Sequence, residues 1–402
     1  MALGSSKTKA FDSHKMIYTT LAWYGYWELQ SESRRAKYVH AIYRVLILSY
    51  LIWFNIVQMY NAVVSIVDKS VQWPGVDLVL TEVCFMIKLS CFLINTKKLK
   101  AIKDQINGPM FDANTRQNEK FITDNYITCR KIFRISNMCL IFSVIGWLSY
   151  RNFQAWTGRL HAFPELYFSI NFDSKLSLAR AFALTIMRCI WTSLGHITLD
   201  LLIISYYLQA VHQLRLIKHN MKHLFDSDNT MRQGRHSRRF QYLDERCEDI
   251  KTRFTFYICR HQNVVWLLNN VNEIFGLGMA NHIFFTTFSI CFAIYDASAA
   301  GINDPKTAYW AIMMIFHLGQ TYFYCYFGSL LESESDTLSA SVYSSNWTEV
   351  SPKFRRMILI TICNWQTPIT VKLCGLIPLS LNTFVSTCRL AYSMFTMLLS
   401  VK

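Results

Sequence analysis

Long apolar stretches with few charges constrain this chain more than any other feature of its sequence. A helix needs about 20 mostly apolar residues to cross the roughly 30 Å hydrocarbon layer of a membrane. Seven stretches approach or exceed that length, and each predicts a membrane-spanning helix. They are residues 41–64, 78–94, 132–150, 179–211, 264–297, 308–331 and 379–399, of which 78–94 is the weakest because it is short and contains Glu82 and Lys88.

The composition excludes an ordinary water-soluble domain, because 52% of the 402 residues are hydrophobic and 15% are aromatic. One soluble core of this size needs much less apolar surface. The net charge of +15 is compatible with nucleic-acid binding only if the basic residues form a patch on a soluble domain. Here they are concentrated in alternate loops between the apolar stretches.

The loop charges predict the orientation of the helices. Segments 1–37, 95–131, 211–262 and 329–372 contain 29 Lys and Arg residues, whereas 65–76, 151–178, 298–307 and the last residues contain 6. Since cationic loops are retained in the cytosol, the N-terminus is expected inside and the C-terminus outside. This orientation is the reverse of that of a G-protein-coupled receptor. None of the 12 Cys lies in the outward loops, so we expect no disulfide framework.

The cytosolic segments carry helical patterns of their own. Apolar residues recur among Lys and Arg in 212–262, which predicts that spans four and five continue as helices into the cytosol, with 231–239 as a disordered tip. The apolar run 357–363 is too short to span and predicts a helix in a folded cytosolic region. The fold class is therefore an all-α membrane protein with seven transmembrane helices.

Motifs for enzymatic chemistry are absent from the sequence. It contains no glycine-rich phosphate loop, no paired-Cys metal site and no nucleophile elbow, so we assign no catalytic residue, cofactor or metal. His196, His282 and His317 lie on different spans and are interpreted as packing residues rather than zinc ligands. All 7 Pro lie in loops or at span edges, which disfavours the broken helices of many transporters.

Ionisable residues inside the predicted spans need partners, because a charge at the centre of a bilayer costs several kcal/mol unless it faces protein or water. Two interpretations stay open, namely buried pairing between helices and exposure to an aqueous pore or ligand vestibule. The residues concerned are Glu82, Lys88, Arg188, Asp200, Glu273 and Arg389.

The last 60 residues carry a specific set of motifs. Residues 365–368 read WQTP, 374–384 read CGLIPLSLNTF and 389–396 read RLAYSMFT, after SVY at 341–343 and RRMIL at 355–359. Their order and spacing resemble the insect odorant receptor family, as does WYGYW at 23–27. Gustatory receptors share the fold but end in a different motif. The family's co-receptor subunit is also a poorer match, because its long cytosolic insertion is absent.

The resemblance implies a subunit of an odorant-gated, nonselective cation channel in the plasma membrane of a sensory neuron dendrite. Such a subunit assembles with the co-receptor as a tetramer around a central pore. The corresponding regions are a cytosolic N-terminal segment (1–37), helices one to six with a ligand pocket in their outer half (38–331), a cytosolic anchor region (332–372) and a pore-lining seventh helix (373–402). A gustatory receptor subunit and a non-conducting multi-span transporter are the alternatives.

Helical spacing and the resemblance together select candidate residues. A small volatile odorant requires an apolar, aromatic pocket with few polar groups. The pocket candidates, which ordinary helix packing would also explain, are Thr81, Phe85, Ser143, Gly146, Trp147, Tyr150, Met187, Trp191, Tyr309 and Met313. The gate candidates share one face of the last span and are Phe395, Leu398 and Leu399, with the alternative that they face lipid or other helices. Arg389 lies on the same span and is expected to be paired or displaced from the pore.

Overall fold

The computed structural model describes residues 9–29, 31–67, 73–113, 115–156, 175–225, 239–300 and 305–400. These residues are almost entirely helical. The helices are α1 (Asp12–Trp23), α2 (Arg34–Val67), α3 (Trp73–Ile94), α4 (Thr96–Ile106), α5 (Arg116–Trp156), α6 (Lys175–Lys222), α7 (Arg239–Ala300), α8 (Pro305–Asp336), α9 (Leu338–Tyr343), α10 (Pro352–Trp365) and α11 (Leu381–Ser400). A 3-10 turn, Trp347–Glu349, precedes α10, and the strands β1 (Lys372–Leu373) and β2 (Ile377–Pro378) form an antiparallel hairpin before α11.

The first six predicted spans lie within α2, α3, α5, α6, α7 and α8, and the seventh, 379–399, lies in α11 except for its first two residues. At 1.5 Å per residue, the 48 residues of α6 and the 62 of α7 extend about 70 and 90 Å, well beyond the thickness of a membrane. This confirms that spans four and five continue as helices. The predicted tip at 231–239 falls almost wholly outside the described residues.

Hydropathy and length alone identify fewer spans than the fold contains. The described segments Arg34–Tyr60, Trp191–Lys222 and Glu248–Tyr295 qualify, and Val79–Ile94 with Thr96–Ile106 forms a fourth candidate bent by 70°. α11 does not qualify, and eight of its 20 residues are Asn, Ser, Thr or Arg. Assignment of the remaining helices depends on their place in the bundle.

α6 forms the centre of the bundle. Residues 195–214 are all buried, and α1, α5, α7, α8 and α9 pack around this helix. A stretch buried on every side needs neighbours on every side, and its polar residues, such as Asp200, need partners. By contrast, α2 exposes large side chains such as Val45, Leu46 and Ile56, as a helix facing lipid would.

The extensions of α6 and α8 are joined by ion pairs outside the predicted spans. Arg215 and Lys218 lie 2.7 and 2.5 Å from the carboxylate of Glu334. Burial alone would raise the pKa of Glu334, but the hydrogen bonds from Lys218 and Arg215 outweigh burial and lower this pKa below its usual value. The run 357–363 lies in α10, which confirms that it is a short helix. Phe354, Ile358 and Trp365 form its buried face.

The hairpin between α10 and α11 was not anticipated from the sequence. Its turn places Cys374 and Gly375 at positive φ, and it leads into α11 where α11 meets α8. The Leu381 amide donates a hydrogen bond to the Ser329 hydroxyl at 2.9 Å. A Cβ on Gly328 would lie 2.1 Å from the Leu379 carbonyl oxygen, so only glycine allows this close approach.

We therefore expect Gly328→Ala to lower the melting temperature of the detergent-solubilised protein and its surface expression. The added methyl meets a backbone carbonyl, and overpacking costs about 1–3 kcal/mol. Gly319→Ala is the matched control on the same helix, since a Cβ there meets no atom within 4 Å. Equal melting temperatures for the two variants would contradict the close approach of α8 and the hairpin.

Candidate ligand pocket and pore helix

Two of the predicted pocket residues, Phe85 on α3 and Trp191 on α6, meet a third aromatic residue, Tyr26. The Phe85 ring is buried, and its centroid lies 6.0 Å from that of Tyr26. The Tyr26 hydroxyl donates a hydrogen bond to the Trp191 carbonyl at 2.6 Å. These three residues, the aromatic cluster, join α3 and α6 to the segment after α1, with Tyr26 contacting the ring of Phe85 and the backbone of Trp191.

Tyr26 was not among the predicted pocket residues, although it lies in the WYGYW motif at 23–27. Its ring packs directly on α6 at Gly195, where a Cβ would come within 2.6 Å of a ring carbon. This approach explains why α6 has no side chain at that position. The sequence signal was the density of aromatic residues in the motif, but nothing local indicated that the N-terminal segment inserts between two spans.

Within the described part of the chain, no contact with the aromatic cluster is shown for the other eight pocket candidates. Thr81, Ser143 and Met187 are half-buried on α3, α5 and α6, and Gly146 has open space around it. The side chains of Trp147, Tyr150, Tyr309 and Met313 fall outside the described ones, although their backbones lie in α5 and α8. The structure thus links Phe85 and Trp191 through Tyr26, and for all ten candidates the pocket stays a prediction.

A buried polar network lies one helical turn beyond Phe85. Lys88 Nζ is 2.6 Å from Asp200 Oδ1 and 3.0 Å from His196 Nε2. Asp200 also accepts hydrogen bonds from the Tyr324 hydroxyl at 2.5 Å and from the Gln320 amide at 2.9 Å. These five residues form the polar network, which links α3, α6 and α8.

The sequence left two interpretations of the ionisable residues in the spans, buried pairing or exposure to an aqueous pore or vestibule. For Lys88 and Asp200 the structure shows the first, a buried pair between helices. Glu273 instead pairs with Lys98 at an exposed position. Glu82 is buried, and the Arg188 side chain falls outside the described ones.

The histidine rings pack among aromatic residues, with His282 5.8 Å from His196 and 5.7 Å from Tyr324. Among the described residues, no group has the composition of a metal site.

The last helix has one packed face and one free face. α11 contacts α7 and α8, and the Phe384 ring lies 5.6 Å from that of Tyr322 on α8. Of the gate candidates, Phe395 is half-buried, whereas Leu398 and Leu399 are exposed in the single subunit. Arg389 is also exposed, and within the described part of the subunit no acidic residue pairs with it. The free face is available to lipid or to other subunits. By helical angle Phe395 and Leu398 continue the packed side, which contains the buried Ala391, and lie near the end of the helix.

Two cavities lined by described residues lie away from the predicted pocket. One of about 780 Å³ is bordered by Trp27, Arg44 and Lys100, and one of about 310 Å³ lies between α7 and α10 beside His261 and Trp365. Both are lined by segments predicted to be at or near the cytosolic side. Neither is lined by a pocket candidate, so neither is taken as the odorant site.

Comparison with known proteins identifies the family. The model of the family described as 7tm Odorant receptor matches residues 76–392, which is most of the chain. Odorant receptor 49a of Drosophila melanogaster is 31% identical over 143 residues, 35% of each chain. The odorant receptor coreceptor of Harpegnathos saltator is 22% identical over 153 residues, covering 38% of this chain and 32% of that protein. The chain thus spans about a third of the length of these curated relatives.

The fold is similar to a solved structure over nearly its whole length. The insect olfactory receptor OR5 from Machilis hrabei, solved in complex with eugenol, superimposes with a TM-score of 0.78 and 13% identity, covering 96% of this chain and 97% of that one. At this identity the likeness shows the fold, that of a seven-helix membrane protein. With the family match over residues 76–392, the chain belongs to the insect odorant receptor family.

Proposed function

We propose that this chain is the odorant-binding subunit of a ligand-gated, nonselective cation channel in the plasma membrane. The observation that carries the proposal is the aromatic cluster of Phe85, Tyr26 and Trp191 inside a bundle of the odorant receptor family. Aromatic side chains offer large, rigid contact area to a small apolar molecule. The ligand we expect is small, volatile and largely apolar, because the predicted pocket offers few polar groups.

The free face of α11 supports a pore at a subunit interface. Eight of the 20 residues of α11 are Asn, Ser, Thr or Arg, which suits a helix near water better than one surrounded by lipid. Leu398 and Leu399 are exposed near its end, where an apolar ring can close a narrow pore by excluding water. We propose assembly with the odorant co-receptor as a tetramer, in which four such helices surround the pore and Phe395, Leu398 and Leu399 form the gate.

Two other functions fit the same fold less well. A gustatory receptor subunit is disfavoured by the odorant receptor motifs in the last 60 residues. A non-conducting transporter is disfavoured by the continuous helices that contain the spans. A current evoked by odorant separates the proposed function from a transporter, and the chemical class of the active ligand separates it from a taste receptor.

The first test concerns orientation, which the charge distribution predicts to be N-terminus inside and C-terminus outside. Epitope tags are added at both ends and antibody is applied to intact and to permeabilised cells. We expect the C-terminal tag to be labelled on intact cells and the N-terminal tag only after permeabilisation. Labelling of the N-terminal tag on intact cells would reverse the proposed orientation.

The second test concerns ligand binding. The chain is expressed with a co-receptor and currents are recorded against a panel of volatile odorants. We expect Trp191→Leu to raise the half-maximal concentration at least about tenfold, which corresponds to about 1.4 kcal/mol of lost contact. Trp266→Leu, on α7 and outside the candidate pocket, is the control. Equal dose-response curves for wild type and Trp191→Leu at matched surface expression would remove Trp191 from the pocket.

The third test concerns the gate. Cys is introduced at Phe395, Leu398 and Leu399 in turn, and a charged thiol reagent is applied from outside with and without odorant. We expect odorant-dependent block or altered ion selectivity at one or more of these positions. Met397→Cys is the control at the same depth, because residue 397 is exposed but points to the opposite side of α11. If all four variants behave alike, the gate lies elsewhere.

A further inference from the structure

The polar network contains a buried ion pair, and stabilisation of the fold alone does not explain why it is there. The Lys88 side chain is completely buried and that of Asp200 is 7% exposed. Removing two charges from water costs much of the energy that their attraction returns, so a buried pair is often no more stabilising than well-packed apolar residues. An ionisable pair inside a membrane protein is therefore better explained by a specific positional role.

One side of the polar network reaches the candidate pocket. The His196 ring lies 5.8 Å, centroid to centroid, from the ring of Phe85, and Lys88 follows Phe85 by one turn of α3. Trp191 is on the same helix as His196 and Asp200, about one and a half turns from His196 and two and a half turns from Asp200. A ligand that displaced Phe85 would therefore shift a residue in direct contact with the network, and one that displaced Trp191 would act on the helix that carries His196 and Asp200.

The other side of the polar network holds α8. Gln320 and Tyr324 are one turn apart on α8 and both donate hydrogen bonds to Asp200. Tyr322 lies between them in sequence, about 200° around the helix from each, and its ring contacts Phe384 of α11. One face of α8 is thus fixed to Asp200 while the opposite face packs on the proposed pore helix.

We propose that Tyr324 and Gln320 are positioning residues that couple odorant binding to the pore helix by holding α8 to Asp200. This inference rests on the proposed function and adds the route of regulation between its two sites. The hydrogen bonds to the carboxylate are directional and lie in a low-dielectric interior, so they fix the rotation of α8 about its axis. Any rotation of α8 that follows ligand binding is carried by Tyr322 and by the contact of Gly328 with Leu379 to the start of α11.

The test compares two conservative Tyr→Phe substitutions. Tyr324→Phe removes the hydroxyl that binds Asp200 and keeps the ring. Tyr207→Phe is the matched control on α6, equally buried, whose hydroxyl makes a 3.6 Å contact with the sulfur of Met279. Dose-response curves are recorded with a co-receptor and normalised to surface expression. We expect Tyr324→Phe to raise the half-maximal odorant concentration by at least about fivefold, within the usual range of coupling between sites, with no such shift for Tyr207→Phe.

Two further measurements separate coupling from a merely structural role. In the double variant Asp200→Asn with Tyr324→Phe, the second substitution should add less than it does alone, because Asp200→Asn has already weakened the charge-assisted hydrogen bond that Tyr324→Phe removes. Gln320→Met, which removes the second donor from α8, should shift the odorant response in the same direction as Tyr324→Phe. It serves as the second variant if Tyr324→Phe does not reach the surface.

The last measurement does not depend on odorant, so the inference and the proposed function can fail separately. Leu398→Cys is introduced into wild type, Tyr324→Phe and Tyr207→Phe, and its rate of modification by a charged thiol reagent is measured without ligand. We expect Tyr324→Phe alone to change this rate, by about fivefold or more. Equal rates in all three overturn the coupling role of Tyr324, whereas absence of any odorant-evoked current in wild type overturns the proposed function.

Discussion

The complete burial of residues 195–214 of α6 is the constraint on which the rest of this structure depends. A helix surrounded by other helices has no water or lipid to receive its side chains, so every polar group on it requires a partner. Asp200 lies in the middle of that buried stretch. Its carboxylate is satisfied by Lys88 from α3 and by Tyr324 and Gln320 from α8. These contacts fix the relative rotation of three spans, and they leave the candidate pocket and the proposed pore helix on either side of the polar network.

The aromatic cluster and the polar network occupy successive turns of the same helices, α3 and α6. The aromatic cluster of Phe85, Tyr26 and Trp191 provides surface with few directional requirements, which suits the adaptable binding of small apolar molecules. The polar network one turn away provides contacts that are short and directional. Rearrangement in the first region disturbs ring packing and one neutral hydrogen bond, whereas rearrangement in the second breaks hydrogen bonds to a buried charge. A small change at the pocket is therefore either absorbed locally or passed on through α8 as a discrete movement.

The position of α11 follows from backbone contacts as much as from side chains. Gly328 allows the Leu379 carbonyl to lie directly against α8, and the Ser329 hydroxyl accepts the amide of Leu381. These contacts fix the beginning of α11, while its far end near Leu399 has few contacts within the subunit. A helix held at one end and free at the other is suited to a moving element at a subunit interface. α2 is the contrasting case, a helix that exposes large apolar side chains such as Val45, Leu46 and Ile56.

The sequence by itself determined the seven spans, the helical extensions of spans four and five, the short helix around 357–363 and the family, because hydropathy, periodicity and motifs are properties of neighbouring residues. It also selected Phe85 and Trp191 as pocket candidates from their place on the spans. Only the tertiary structure paired Lys88 with Asp200, 112 residues away, and Asp200 with Tyr324, 124 residues away. It alone placed Tyr26 against α6 at Gly195. Such contacts depend on the rotation and depth of each helix relative to its neighbours, which the packing of the whole bundle sets and no local pattern encodes.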